Sequence, residues 1–128
     1  MKSSKQTLRI NRPAKDVFAY VIDPSNTPKW IDWMTKEETN EWPVKLGTIY
    51  KNQNEAGELG VYEMTAFEPN KMFVMSKRGS SYHVKYTIRS IDDSTSELEY
   101  YEWVDEGELD EPFSLVTLRK LKKIMEAK

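Results

Sequence analysis

At 128 residues the chain is long enough for a genuine core but too short for a second one, so residues 1–128 are read as a single domain. Its 19 basic and 21 acidic residues nearly cancel, which argues against an affinity dominated by phosphate backbone or anionic lipid, and nucleic acid is not an expected partner. The absence of cysteine removes disulfides, thiolate nucleophiles and sulfur-ligated metals, while a single histidine, His83, excludes a His-rich metal site. Neither a signal peptide nor a run of about 18 apolar residues is visible, so a cytoplasmic protein without an integral membrane segment is expected.

Gln6 to Asn11 alternates, with Leu8 and Ile10 on one face and Thr7 and Arg9 on the other, as a half-buried strand should. From Ala14 the spacing turns helical: Ala14, Val17, Phe18, Val21 and Ile22 share an arc, and Asp23-Pro24 stops the helix. A turn-rich link, Pro24 to Pro28, leads to a second, very short helix expected over Lys29 to Met34. Thr35 to Asn40 is polar and suits an edge strand, and Gly47 closes the following loop at a tight or positive-φ position. Further strands are expected at Thr48–Asn54, Leu59–Glu68, Met72–Arg78, Tyr82–Ser90 and Glu97–Val104. Their short, turn-forming connections predict antiparallel hairpins and a meander of six or seven strands. The last stretch, Pro112 to Lys128, places Phe113, Thr117, Leu118, Leu121, Ile124 and Met125 on one helical arc and its basic residues on the other. Asp110 and Glu111 are the expected caps of that helix, with Pro112 in its first turn.

Alternation also selects faces. Tyr82, Val84, Tyr86 and Ile88 are read as inward, which leaves His83 outside. Phe73 and Met75 point in, as do Tyr62 and Met64. In the last strand Leu98 and Tyr100 face in, and the strict period turns Glu102 inward too. A bulge near Tyr100-Tyr101 would instead release Glu102 to solvent and bury Trp103.

With these elements laid out, the sequence resembles the SRPBCC superfamily, also called START-like or Bet v 1-like, and within it the polyketide cyclase/dehydrase-type bacterial proteins. The resemblance is carried by Ile10-Asn11-Arg12-Pro13-Ala14-Lys15-Asp16-Val17-Phe18, by Asp23-Pro24 followed by Pro28-Lys29-Trp30, and by Leu46-Gly47-Thr48 before a strand. It continues in Tyr62-Glu63-Met64-Thr65-Ala66-Phe67-Glu68-Pro69 and in the terminal segment from Leu118 to Glu126. It implies an α+β helix-grip fold: a curved antiparallel sheet around a C-terminal helix, two short helices between the first two strands, and a cavity between sheet and helix. Many relatives have a longer final link and helix, so here the cavity is expected to be more open, smaller, or closed by a second subunit in a homodimer.

The chain carries four Trp, seven Tyr and four Phe. Trp30, Trp33, Tyr50, Tyr62, Met64, Phe73, Met75, Tyr82, Tyr86 and Tyr100, joined by Phe113, Thr117 and Leu121 from the terminal segment, are the candidate ligand-binding set. Rings bury an apolar guest while hydroxyls orient it, although the same residues also suit a packed core. Glu102 is the candidate catalytic residue, since an inward carboxylate among aromatics has its charged form disfavoured and suits general acid–base work. Asp32 is expected at the rim, and the acidic run Asp105 to Glu111 as a solvated loop without metal. No cofactor is expected. The resulting expectation is a binding protein for a small hydrophobic molecule such as a lipid, quinone, isoprenoid or polyketide-like compound. The alternatives are a cyclase, aromatase or dehydratase using Glu102 and a tyrosine hydroxyl, and a protein-interaction module with an apolar patch around Trp33 and Trp42.

Overall fold

Among the described residues, seven antiparallel strands and three helices carry the apolar periodicity. The computed structural model describes residues 1–110 and 112–128. In chain order the elements are β1 (Ser3–Ile10), α1 (Ala14–Ile22), α2 (Thr27–Trp30), β2 (Met34–Thr39), β3 (Ile49–Asn54), β4 (Leu59–Glu68), β5 (Met72–Lys77), β6 (Tyr82–Asp92), β7 (Thr95–Val104) and α3 (Leu115–Glu126). Each strand from β2 to β7 pairs with the next, and β1 returns to pair with β7, giving the order β1-β7-β6-β5-β4-β3-β2. β1 and β2 therefore occupy opposite edges, and α1 and α2 carry the chain between them. Register breaks at Met34/Lys36, Met64/Ala66 and Ser90/Asp92 add local twist, the usual means of curling a sheet.

The inner face is the alternating set of the strands: Tyr50, Met64, Phe73, Met75, Val84, Tyr86, Ile88, Leu98 and Tyr100 are all buried. α3 lays Leu118, Leu121 and Met125 against it. Its far end is fastened to the start of the chain by polar contacts. The Arg12 guanidinium donates to the Met125 carbonyl at 2.9 Å, the Asn11 N–H to Glu126 at 2.8 Å, and the Lys122 ammonium to the Arg9 carbonyl at 2.9 Å. Among the described residues, no helix is long and apolar enough to cross a membrane.

Several boundaries differ from the sequence reading. α2 occupies Thr27–Trp30 rather than Lys29–Met34, because Pro28 starts a helix readily and β2 already begins at Met34. β1 and β7 are longer than expected, as mutual pairing from Ser3↔Trp103 to Ile10↔Ser96 extends both past their apolar cores. α3 starts at Leu115 rather than Pro112. Its cap is Ser114, whose hydroxyl accepts from the Val116 N–H at 3.1 Å, and the Phe113 N–H is already committed to Glu102. Asp110 instead lines the cavity described below, and the capping role expected of Glu111 lies outside the described residues. Gly47 has the expected positive φ, 89°.

Candidate functional site: a cavity between sheet and terminal helix

Between the inner face of the sheet and the segment leading into α3 lies a cavity of about 620 Å³. This is within the size range of small-molecule sites, on the order of 300–1,000 Å³. Its mouth is rimmed by the exposed residues Trp33, Lys77, Ser80, Glu108 and Asp110, and its walls combine aromatic rings with aliphatic side chains such as Val21, Ile31 and Val84 and a few polar groups. Seven of the sequence-predicted ligand residues line it: Trp33, Tyr62, Met75, Tyr82, Tyr86, Tyr100 and Phe113. Their rings brace one another. Tyr100 stacks on Phe113 with centroids 4.0 Å apart, Tyr86 stands edge-on to Tyr100 at 5.1 Å, and Trp33 edge-on to Phe113 at 5.6 Å.

Six candidates do not line the cavity. Trp30, Tyr50, Met64, Phe73 and Leu121 are at most 1% exposed and belong to the packed core, and Thr117 is only half-buried on α3. The reasons are local. Trp30 ends α2 and turns inward, edge-on to Tyr86 and Phe113, so Trp33 alone of the two reaches the mouth. The Tyr50 hydroxyl donates to the Ile22 carbonyl at 2.6 Å, and burial raises its pKa well above the usual tyrosine value. Phe73 stacks on Tyr86 at 4.6 Å from the β5 side. Leu121 is fully buried on α3, beyond the segment that borders the cavity.

Glu102 is 3% exposed and lines the cavity. The β6–β7 register runs unbroken through Val84↔Glu102, so there is no bulge at Tyr100-Tyr101 to release it. One carboxylate oxygen accepts from the buried Phe113 N–H at 2.7 Å and the other from the Tyr82 hydroxyl at 3.2 Å. Burial raises its pKa, and these two hydrogen bonds oppose the rise. Trp103 consequently stays on the outer face. There it stacks on His83 at 4.9 Å and on Tyr101 at 5.3 Å.

His83 is outward, as its strand period requires. Its ring lies 2.7 Å from Ser76 Oγ on one side and 2.7 Å from Asp105 Oδ2 on the other. This Ser-His-Asp row is on the convex surface, on the opposite side of the sheet from the cavity. Asp32 is exposed beside Lys120, with which it pairs, and does not line the cavity.

A second carboxylate in the cavity escaped the sequence reading. Glu37, on edge strand β2, accepts from the Thr27 hydroxyl at 2.6 Å and, more loosely, from the Asn52 side-chain amide at 3.4 Å. All three residues line the cavity. Burial raises the Glu37 pKa, again against the pull of its hydrogen bonds. Tyr62 lies within the field of both carboxylates: burial first, then Glu37 and Glu102, push its pKa up to about 12. Gly60 makes the arrangement possible. It faces Asn52 across the β3–β4 ladder, and a Cβ there would stand 2.6 Å from the Asn52 oxygen and 3.2 Å from the Tyr62 ring. Asn52 itself carried a readable signal, since it is two residues from Tyr50 and so shares its inward face. The described part of the acidic connector is an exposed loop, as expected, and it also borders the cavity mouth: Glu108 pairs with the N-terminal ammonium, the Leu109 N–H donates to the Met1 carbonyl at 2.9 Å, and Glu108, Leu109 and Asp110 line the edge.

A family model described as polyketide cyclase / dehydrase and lipid transport matches residues 1–128, the whole chain. The chain belongs to this family. Solved structures agree in fold. Protein MLL2253 from Mesorhizobium loti superposes with a TM-score of 0.78 at 13% identity, covering 98% of each chain. A START superfamily protein from Mycobacterium smegmatis gives 0.68 at 17% identity, covering 99% of this chain and 96% of that one. The Aha1 dimer from Colwellia psychrerythraea gives 0.69 at 13% identity, covering 98% and 97%. No curated protein matches the chain significantly. Fold and family are thus the helix-grip, START-like arrangement that the residue order implied, on a sheet of seven strands.

Proposed function

We propose that this family member binds a small hydrophobic molecule in the cavity between the sheet and the segment entering α3. The observation that carries the reading is the cavity itself, about 620 Å³ walled by Tyr62, Tyr82, Tyr86, Tyr100 and Phe113. Flat rings bury apolar surface at ~25 cal/mol per Å², and their hydroxyl tips and the two carboxylates orient the guest. A lipid, quinone, isoprenoid or polyketide-like compound satisfies those walls. Native mass spectrometry of freshly purified protein, together with thermal shifts against an apolar ligand panel, tests it. Co-purifying mass or stabilisation by panel members is the expected result. Neither, with the protein folded, refutes it.

A second reading, proton transfer of the cyclase or dehydratase kind, is favoured by the Glu102–Tyr82 contact. A carboxyl group with a raised pKa, 3.2 Å from a phenol, is suited to exchanging a proton with a bound substrate. Under this reading Glu102→Gln abolishes turnover of a polyketide-like substrate and leaves the fold intact. Retained turnover removes it.

A further inference from the structure

The ionisable groups of the cavity are unevenly signed. Among the described residues that line it, Glu37 and Glu102 stand inside and Glu108 and Asp110 at the mouth, against one basic side chain, Lys77, at the edge. The two inner carboxylates have only neutral hydrogen-bond donors as partners: Thr27 and Asn52 for Glu37, Tyr82 and the Phe113 N–H for Glu102. Among the described residues neither makes a salt bridge. Glu102 already spends one oxygen on a backbone N–H at 2.7 Å, whereas the Asn52 contact to Glu37, at 3.4 Å, is long and yields readily. Aromatic faces complete the surroundings, from Tyr62 and Tyr86 inside to Trp33 at the mouth. A carboxylate without a cation beside electron-rich rings is a combination that attracts an organic cation through both ion pairing and cation–π contact.

We infer that the cavity selects an amphiphilic amine, its ammonium group held at Glu37 and its apolar body lying along the tyrosine rings, over an alcohol or carboxylate of the same skeleton. The inference rests on the cavity-binding reading and narrows it to a ligand class. A fatty-acid anion is disfavoured twice, by repulsion from Glu37 and Glu102 and by the lack of an inner cation to receive it. Burial raises the pKa of Glu37 by desolvating its charged form, and a bound ammonium would offset that desolvation with an opposite charge.

The test uses three probes of one chain length, dodecylamine, dodecanol and dodecanoate, each titrated below its micelle or solubility limit by calorimetry and by tryptophan fluorescence. The full chain and its Glu37→Gln variant are compared at pH 7. In the unchanged protein the amine binds at least about tenfold tighter than the alcohol, as a charge-assisted contact should, and the carboxylate is weakest. Glu37→Gln removes the amine's advantage over the alcohol, and far-UV circular dichroism with urea denaturation reports separately that the variant is folded. Glu37→Asp restores part of the preference. An alcohol or carboxylate that binds as tightly as the amine overturns the inference and leaves the cavity-binding reading standing. An amine preference that survives Glu37→Gln overturns the assignment to Glu37. If none of the three binds, the inference is overturned, while native mass spectrometry and the apolar ligand panel decide separately whether the cavity-binding reading stands.

Discussion

Replacing Glu102 separates its holding role from any chemistry. Its carboxylate receives the Phe113 N–H at 2.7 Å and the Tyr82 hydroxyl at 3.2 Å, in a site 3% exposed. In Glu102→Ala the buried Phe113 N–H loses its acceptor, a loss of about 1–3 kcal/mol, and the Tyr82 contact adds about 1 kcal/mol, so about 2–4 kcal/mol is expected. Glu102→Gln keeps a carbonyl oxygen for the N–H and offers an amide N–H to the tyrosine oxygen, and should lose only about 1 kcal/mol. For a domain of this size, roughly 4 °C of melting temperature per kcal/mol places the Ala variant about 8–16 °C below the parent. Urea denaturation at neutral pH, fitted with a common slope, measures both. Equal losses for Ala and Gln would show that the carboxylate does not pin Phe113, and that the entry into α3 is held by something else.

Other expectations follow from the same geometry. Glu37 has a raised pKa, so the folded state binds more protons than the unfolded chain between the ordinary carboxylate range and that raised value, and stability falls as pH climbs through that window. The melting temperature of Glu37→Gln minus that of the parent should therefore increase from pH 4 upward, and a flat or falling difference contradicts the shift. Leu121→Ala, at a fully buried position of α3, should cost about 2–5 kcal/mol in urea denaturation while leaving cavity binding nearly unchanged, because Leu121 does not line the cavity. Val84→Trp puts an indole into the cavity from β6. It should cost about 1–3 kcal/mol of stability through overpacking, and should weaken binding of an apolar fluorescent probe in a direct titration.

The periodic parts of the chain were legible because a buried face imposes its period. α1 covers Ala14–Ile22, the span expected from its apolar arc and the Asp23-Pro24 stop. The alternation of β6 and β7 assigned the inward set down to Glu102, because the ladder between them is unbroken at that point. Leu118, Leu121 and Met125 were identifiable as the inward side of α3 from spacing alone.

What periodicity does not encode is whether an inward side chain meets another side chain or open space. Tyr50 and Tyr62 pair directly across β3 and β4 and face the same way, yet Tyr50 is sealed by its bond to Ile22 while Tyr62 borders the cavity. Trp30 and Trp33 are three residues apart, and only the end of α2 decides that one is core and the other rim. Glu37 lies in a strand with no apolar alternation, so its inward position comes from partners distant in sequence: Thr27 from the helical crossover, and Asn52 from β3, given room by Gly60 on β4. Local sequence settled which apolar faces leave water, since hydrophobic burial acts on every residue of such a face alike. The tertiary structure settled where the two carboxylates and the hollow stand, because a cavity is the space left between elements whose docking no single segment controls.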